Sequence, residues 1–486
     1  LAELTALRQK NSKTFDLGNG QKQVQTTMGA FHYRDEVGDW QDIDDNYSEP
    51  DSGDYTARFT KLPYVVRMGD NSGRRIYPDR NDLSYWIELG KPFPSMGAPV
   101  KIGGYWVWNF PNAAIGVKIE HESIKFGFRL KNSSAPSSIT IPFSSQGITR
   151  EGRYIFHNGE VVGELKKPFA KDANEVYRDV DIEFGIGEIT LSLDTTGLTY
   201  PIDVDPTWQV GAATDDCYRR ITPSAWDLAQ PSQWAGAYST TSYKMGGGMK
   251  IPNVAVPQGS IVISTSIKFR ADDDRPYTNK HVLSRISAED IDDAATFTDN
   301  ATTFDTRFAA HTTARVAWDY IPAWTKDIDY DSPECKTIEQ ELVDRPGWAS
   351  GQDQVWFWED FDDRSTHSAE AEHGVRSAYS YDGSTTYCPI LTVTFAGNVT
   401  VTPTTLDLAL TTYIPVVSIS NNITVTPTTL ALNLTTYAPS VVALRILIIT
   451  SILSRDLSIT SILSRDLSIT SSLSRDLTFT SRFGEN

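Results

Sequence analysis

The segment IPNVAVPQGSIVISTSIKFRADD, residues 251–273, decides the fold class. An approach strand runs to Val256, and Pro257-Gln258-Gly259-Ser260 supplies a turn. From Ile261 to Ala271, apolar and polar side chains then alternate with period two. A strand repeats its faces every second residue and a helix every 3.6, so this pattern predicts a strand with one buried face. VLSRISAEDI (282–291) is expected beside it, and TARVAWDY (313–320) reads as a further strand. VWFWED (355–360), RSAYSYDG (376–383) and PILTVTF (389–395) close the set. Between them, SPECKTIEQELVDRP (332–346) carries Ile338, Leu342 and Val343 at helical spacing. Ser332 or Asp331 would cap that helix, Pro333 would lie in its first turn, and Pro346-Gly347 would stop it. Residues 208–397 are therefore expected to form a jelly-roll sandwich with one connecting helix.

Working outward, residues 1–207 give a second strand-rich region. TFDLGNGQKQVQ (14–25) has a hairpin signal in Gly18-Asn19-Gly20. YWVWNF, SIKFGFRL and EITLSLD follow, punctuated by Gly, Asn, Pro and Asp. A helix is expected only at the start, in LAELTALRQK. The region ends in GLTYPIDVDPTW (197–208), where Pro201 and Pro206 bracket a last strand. The expected class is mainly β: tandem β-sandwich or jelly-roll domains followed by a repetitive β or extended C-terminal segment.

That C-terminal segment is built from two repeats. VTVTPTTLDLALTTYIPVV returns 24 residues later as ITVTPTTLALNLTTYAPSV, defining 398–440. ITSILSRDLS then recurs with period ten through 441–486, placing Arg455, Arg465 and Arg475 in phase. Units this short bury no core alone, so they must stack on one another or on other subunits, or else stay extended. A stacked solenoid and an intertwined oligomeric stalk are both open, as is a Thr-rich linker.

The 486 residues exceed what one core usually serves. A net charge of -18 opposes a nucleic-acid partner, which requires a Lys/Arg field. The longest apolar run, VVALRILIITSIL (441–453), is short and holds Arg445, so no membrane span is expected. LAELTALRQKNSK turns polar by its ninth residue and gives no signal-peptide pattern. Cys217, Cys335 and Cys388 form no CxxC; a Cys217–Cys388 bridge is permitted but not demanded.

Two acidic runs offer oxygen ligands: Asp290, Asp292 and Asp293 in SAEDIDDA, and Glu359, Asp360, Asp362 and Asp363 in VWFWEDFDDRSTH. Close carboxylates suit calcium, and equally suit a solvated rim. The tryptophan pairs Trp106/Trp108 and Trp356/Trp358 are spaced two apart, each on one strand face. Such a face could stack on sugar rings, but both faces of 355–358 are apolar, which favours a core strand. HExxH and GxSxG are absent, and KMGGGMK (244–250) lacks the phosphate-loop pattern and reads as a turn before a strand. No catalytic residue is assigned, and the chain is expected not to be an enzyme.

VPQGS (256–260), IKFRA, RISAEDIDDAATF, ARVAWDYIPAW, ELVDRPGWASG, FWEDFDDRSTH, SYDG and PILTVTF together resemble a domain recurrent in uncharacterised phage and environmental-phage proteins. It is similar to the carbohydrate-binding-module-like jelly rolls called DNRLRE domains. The TFDLGNG start, the YPIDVDPTW ending and the TVTPTTL repeats resemble segments that accompany it. The resemblance implies a virion or extracellular structural or adhesive component, self-associating or bound to other virion proteins, with a surface glycan as a further partner. A secreted or cell-surface glycan-binding protein of a bacterium is the alternative. The family supplies no catalytic residues to carry over.

Overall fold

The computed structural model describes residues 1–397 except 70–72, 93–97, 167, 175, 206, 211–214, 223, 239–243 and 368–372; beyond 397 it describes 447–451 and 467–471. The protein is mainly β, and its sheets are antiparallel throughout residues 1–397. Leu1–Val401 forms one compact unit and Thr402–Asn486 another.

The first unit contains two sandwiches. One pairs a sheet running from Asp181–Phe184 through Ser138–Gln146 to Glu49–Pro50 with a sheet centred on Ala113–Ile119 and Ser123–Leu130. Alternation in those strands sends Ile115, Val117, Phe126 and Phe128 inward, where they meet Ile76, Ile87, Ile139 and Leu191. The second sandwich sets Ile261–Arg270 and Ile390–Ala396 against Met245–Val254, Gln352–Glu359 and Ser284–Ala288. Ile267 and Phe269 from one sheet pack with Met249, Trp356 and Trp358 from the other. Gln352–Glu359 is central, hydrogen-bonded on both sides.

Several expectations change. The 14–25 hairpin forms, with positive φ at Gly18, Asn19 and Gly20, but it joins the second sandwich: Gln21–Thr27 pairs with Ile390–Ala396 over seven residues. Val24 and Met28 therefore enter that core, so the chain starts in the second sandwich before building the first. LAELTALRQK is not a helix. Ala2–Glu3 pairs with Phe15–Asp16, only Thr5–Leu7 makes a 3-10 turn, and Leu4 N–H donates to Thr14 O at 2.7 Å. Sheet pairing takes the backbone donors a helix would need. Ser284–Ala288 lies in the sheet opposite Ile261–Arg270, not beside it.

The expected helix is present as Lys336–Val343, burying Ile338, Leu342 and Val343. Its N-cap is Cys335, with no side-chain cap bond. Ser332 cannot serve, because its hydroxyl accepts Ile267 N–H at 2.9 Å and donates to Pro333 O. A second helix, Ala301–Ala309, is capped by Asn300, whose side chain accepts Thr303 N–H; it buries Phe304 against Phe297, Phe357 and Phe361. The glycines of KMGGGMK lie inside the strand Met245–Val254. A Cβ on Gly246 would meet Glu359 Cβ at 2.3 Å, and one on Gly248 would meet the Phe297 ring at 2.4 Å, so close approach explains them. All three cysteines are free and buried; Cys217 lies by Gly248 and Cys388 by Thr27, and no bridge forms.

In the second unit, Leu447–Ser451 pairs parallel and in register with Leu467–Ser471. The offset is two ten-residue repeats, so equivalent positions of the repeat are in register. The 24-residue repeats and the remaining ten-residue repeats lie outside the described residues. No helix among the described residues is long and apolar enough to cross a membrane.

Candidate functional site

The two sandwiches of the first unit meet through a buried polar seam. The turn Glu120–Ser123, between strands Ala113–Ile119 and Ser123–Leu130, enters the loop Ser380–Tyr387. Glu122 N–H donates to Thr385 Oγ1 at 3.0 Å and His121 N–H to Thr386 Oγ1 at 3.2 Å. Tyr381 OH donates to Glu122 Oε2 at 2.9 Å, and Ser384 Oγ to Glu120 Oε1 at 3.1 Å. Tyr64 OH bonds the carbonyls of Glu120 and Ser123 and fixes the turn from below. Burial raises the Glu120 carboxyl's pKa, but Lys125 and Lys118 outweigh it and hold the group below its usual range. Glu120, Glu122, Tyr64, Tyr381, Ser384 and Thr385 are buried and hydrogen-bonded, the condition under which a polar network rigidifies a structure; His121 and Thr386 sit at its half-buried rim.

Beside the seam opens a cleft of ≈ 210 Å³. The first sandwich contributes Tyr105, Lys125, Lys166 and Lys171; the second contributes Asp272, Lys326, Tyr379 and Asp382. Lys166 Nζ reaches Asp382 Oδ1 at 2.6 Å and Glu164 Oε2 at 3.0 Å. Lys125 Nζ donates to Gly383 O, Lys171 pairs with Asp273 at 3.2 Å, and Lys326 Nζ donates to Asp272 O at 2.6 Å. Burial pushes the Asp382 carboxyl up to about 6, against the pull of Lys166. Desolvation also raises the phenols of Tyr105 and Tyr379, which keep their protons; the Tyr379 O–H donates to Asp327 Oδ1 at 3.1 Å. The cleft thus combines ammonium and hydroxyl donors, carboxylate acceptors and two phenol rings. It is smaller than the roughly 300–1,000 Å³ of drug-sized pockets, so it suits one compact polar unit.

The residues singled out from sequence lie elsewhere. Arg345 binds both Asp290 and Asp292, the latter at 2.6 Å. Asp293 accepts Asp353 N–H at 2.9 Å. Glu359 is buried, with Arg315 on one oxygen and Phe361 N–H on the other. Asp360 accepts the N–H groups of Arg364 and Ser365, Asp362 pairs with Arg285, and Asp363 meets His367 at 2.6 Å. Their oxygens are spent on arginines and turn amides, and among the described residues no three of these acids come close enough to share an ion. Trp108, Trp356 and Trp358 are at most 2% exposed and offer no face to a sugar. Trp356 and Trp358 donate their indole N–H groups inside the core, to Gln354 and Ser284. Trp106 is half-buried against Phe59, with Lys101 over its ring. Sequence reading missed the cleft because its residues come from segments up to about 280 positions apart, and no single stretch brings them together.

No family model matches the chain, and no curated protein matches it. Among solved structures, the crystal structure of exo-beta-1,3-galactanase from Phanerochaete chrysosporium with galactose aligns at 12% identity over 78% of this chain and 80% of that chain, with a TM-score of 0.14. At that score the likeness carries no argument.

Proposed function

We propose that the chain is a non-catalytic structural or adhesive component of an extracellular assembly such as a phage particle, and that the cleft between its sandwiches is a glycan contact. The cleft is the observation that carries this reading. Its donors, acceptors and phenol rings suit the hydroxyls and apolar C–H faces of a sugar. The polar seam holds the two walls in fixed relation, so little ordering would be needed on binding. The parallel stacking of repeats fits a segment that assembles copies, and several copies would turn a weak single-site affinity into firm attachment.

A glycan array probed with the full chain and with a Lys171→Gln/Lys326→Gln variant tests the reading. Binding to a glycan is expected, with loss of at least about tenfold in the variant, about 1.4 kcal/mol. Absence of binding, or equal binding by both proteins, removes the glycan role. Turnover of a bound glycan would replace adhesion by catalysis. Light scattering on the same samples separates settings: an oligomer supports a fibre or stalk, and a monomer favours the bacterial cell-surface alternative.

A further inference from the structure

The N-terminal segment brings three metal-ligating side chains from separate strands to one point. Glu3 lies in Ala2–Glu3, His32 in His32–Arg34 and Asp42 in Trp40–Asp42. His32 and Asp42 are directly opposite in register. One ligand atom from each of the three lies within 4.8 Å of the others.

The His32 side chain is fully buried. Its Nδ1 lies 2.6 Å from Gln9 O, and a carbonyl can only accept, so Nδ1 carries the proton. In the neutral ring, Nε2 is then a lone pair. Among the described residues it has no hydrogen-bond partner, and it faces Glu3 Oε1 at 3.5 Å and Asp42 Oδ1 at 3.6 Å. Arg8 and Lys13 bond those two oxygens, but the buried Nε2 lone pair itself is left uncompensated among the described residues.

We propose that Glu3, His32 and Asp42 form a three-ligand site for a divalent metal ion of the zinc class. Zinc holds nitrogen and oxygen ligands at about 2.0–2.2 Å, which places tetrahedral neighbours about 3.3–3.6 Å apart. The two measured separations match that edge. An imidazole donor and a small ligand set argue against calcium, which takes six to eight oxygens. An outer shell is already present. Gln9 fixes the His32 tautomer, Arg8 bonds both Glu3 oxygens and Asp42 Oδ2, and Lys13 bonds Asp42 Oδ1. Asp42 is half exposed, which gives the ion a way in and a water the fourth position. The bound ion would tie the first strand to the 32–42 hairpin.

Calorimetric titration of the chelator-stripped full chain with Zn²⁺, with Ca²⁺ as comparison, tests this. One Zn²⁺ per chain, a raised Tm and the intense visible absorption of tetrahedral Co²⁺ are expected. Glu3→Gln and Asp42→Asn should each weaken Zn²⁺ binding by more than about tenfold with circular dichroism unchanged. These carboxamide variants keep the test usable if His32→Ala does not fold. Absence of Zn²⁺ binding, or binding that both variants retain in full, overturns the proposal.

Discussion

Lys166→Met is expected to cost about 3–5 kcal/mol of stability at pH 8, because it leaves buried carboxylates without their cation. The Lys166 side chain is 8% exposed, and those of its partners Glu164 and Asp382 are 3% and 2%. Methionine nearly matches the lysine stem, so lost packing contributes little. Glu164 keeps Arg153 at 3.1 Å, which leaves Asp382 as the group in difficulty. Its carboxyl is already raised to about 6 by burial. A raised acid favours the fold below its unfolded pKa of about 3.9 and loses that contribution as pH rises through its folded value. Without Lys166 the folded value moves higher still, so the cost should grow between pH 5 and pH 8. Urea denaturation at the two pH values measures it. Adding Asp382→Asn should recover much of the loss. A cost under about 1 kcal/mol, flat with pH, would mean that the seam is open to water.

Glu339→Gln should do the opposite and stabilise the protein at pH 8 by up to about 3 kcal/mol. Glu339 projects from Lys336–Val343 into the core and is 0% exposed. Gln354 Nε2 donates to its Oε1 at 3.2 Å, and among the described residues Oε2 has no hydrogen-bond partner. Burial pushes its pKa from 4.5 up to about 7, only slightly offset by Gln354. The carboxyl therefore carries no burden below pH 4.5, and an increasing one as pH rises through 7. Glutamine keeps the acceptor and removes the titration. The gain should vanish at pH 4.5 and saturate near pH 8. A variant less stable than the parent at pH 8 would show that the carboxylate has a partner the geometry does not reveal.

Alternation carried far in reading this chain. IVISTSIKFR and PILTVTF declare strands because their core, with Ile267, Phe269, Leu391 and Val393, lies on one face. The tryptophans at 356 and 358 were legible as core for the same reason, since both faces of their strand are apolar. Which sheet a strand joins was not legible. Gln21–Thr27 pairs with a strand about 370 residues away, and no local pattern encodes that choice. The helix Ala301–Ala309 was hidden by its threonines, although Asn300 as cap and Phe304 with Phe308 at spacing four were available signals. The acids drew attention by density, yet each is taken up by an arginine, a histidine or a backbone amide. The functional candidates, the cleft and the Glu3–His32–Asp42 cluster, consist of ordinary residues at unrelated spacings, joined only by the fold.

The central claim is that a buried seam makes two sandwiches one body and so shapes the cleft. Native-state hydrogen exchange reads it directly, because the seam's donors sit in a turn and a loop that would otherwise exchange fast. The amides of His121 and Glu122 donate across it to Thr386 and Thr385. They should be protected to nearly the degree of the central strand Gln352–Glu359. Exchange of both at the rate of exposed loops, with that strand still protected, would contradict the account.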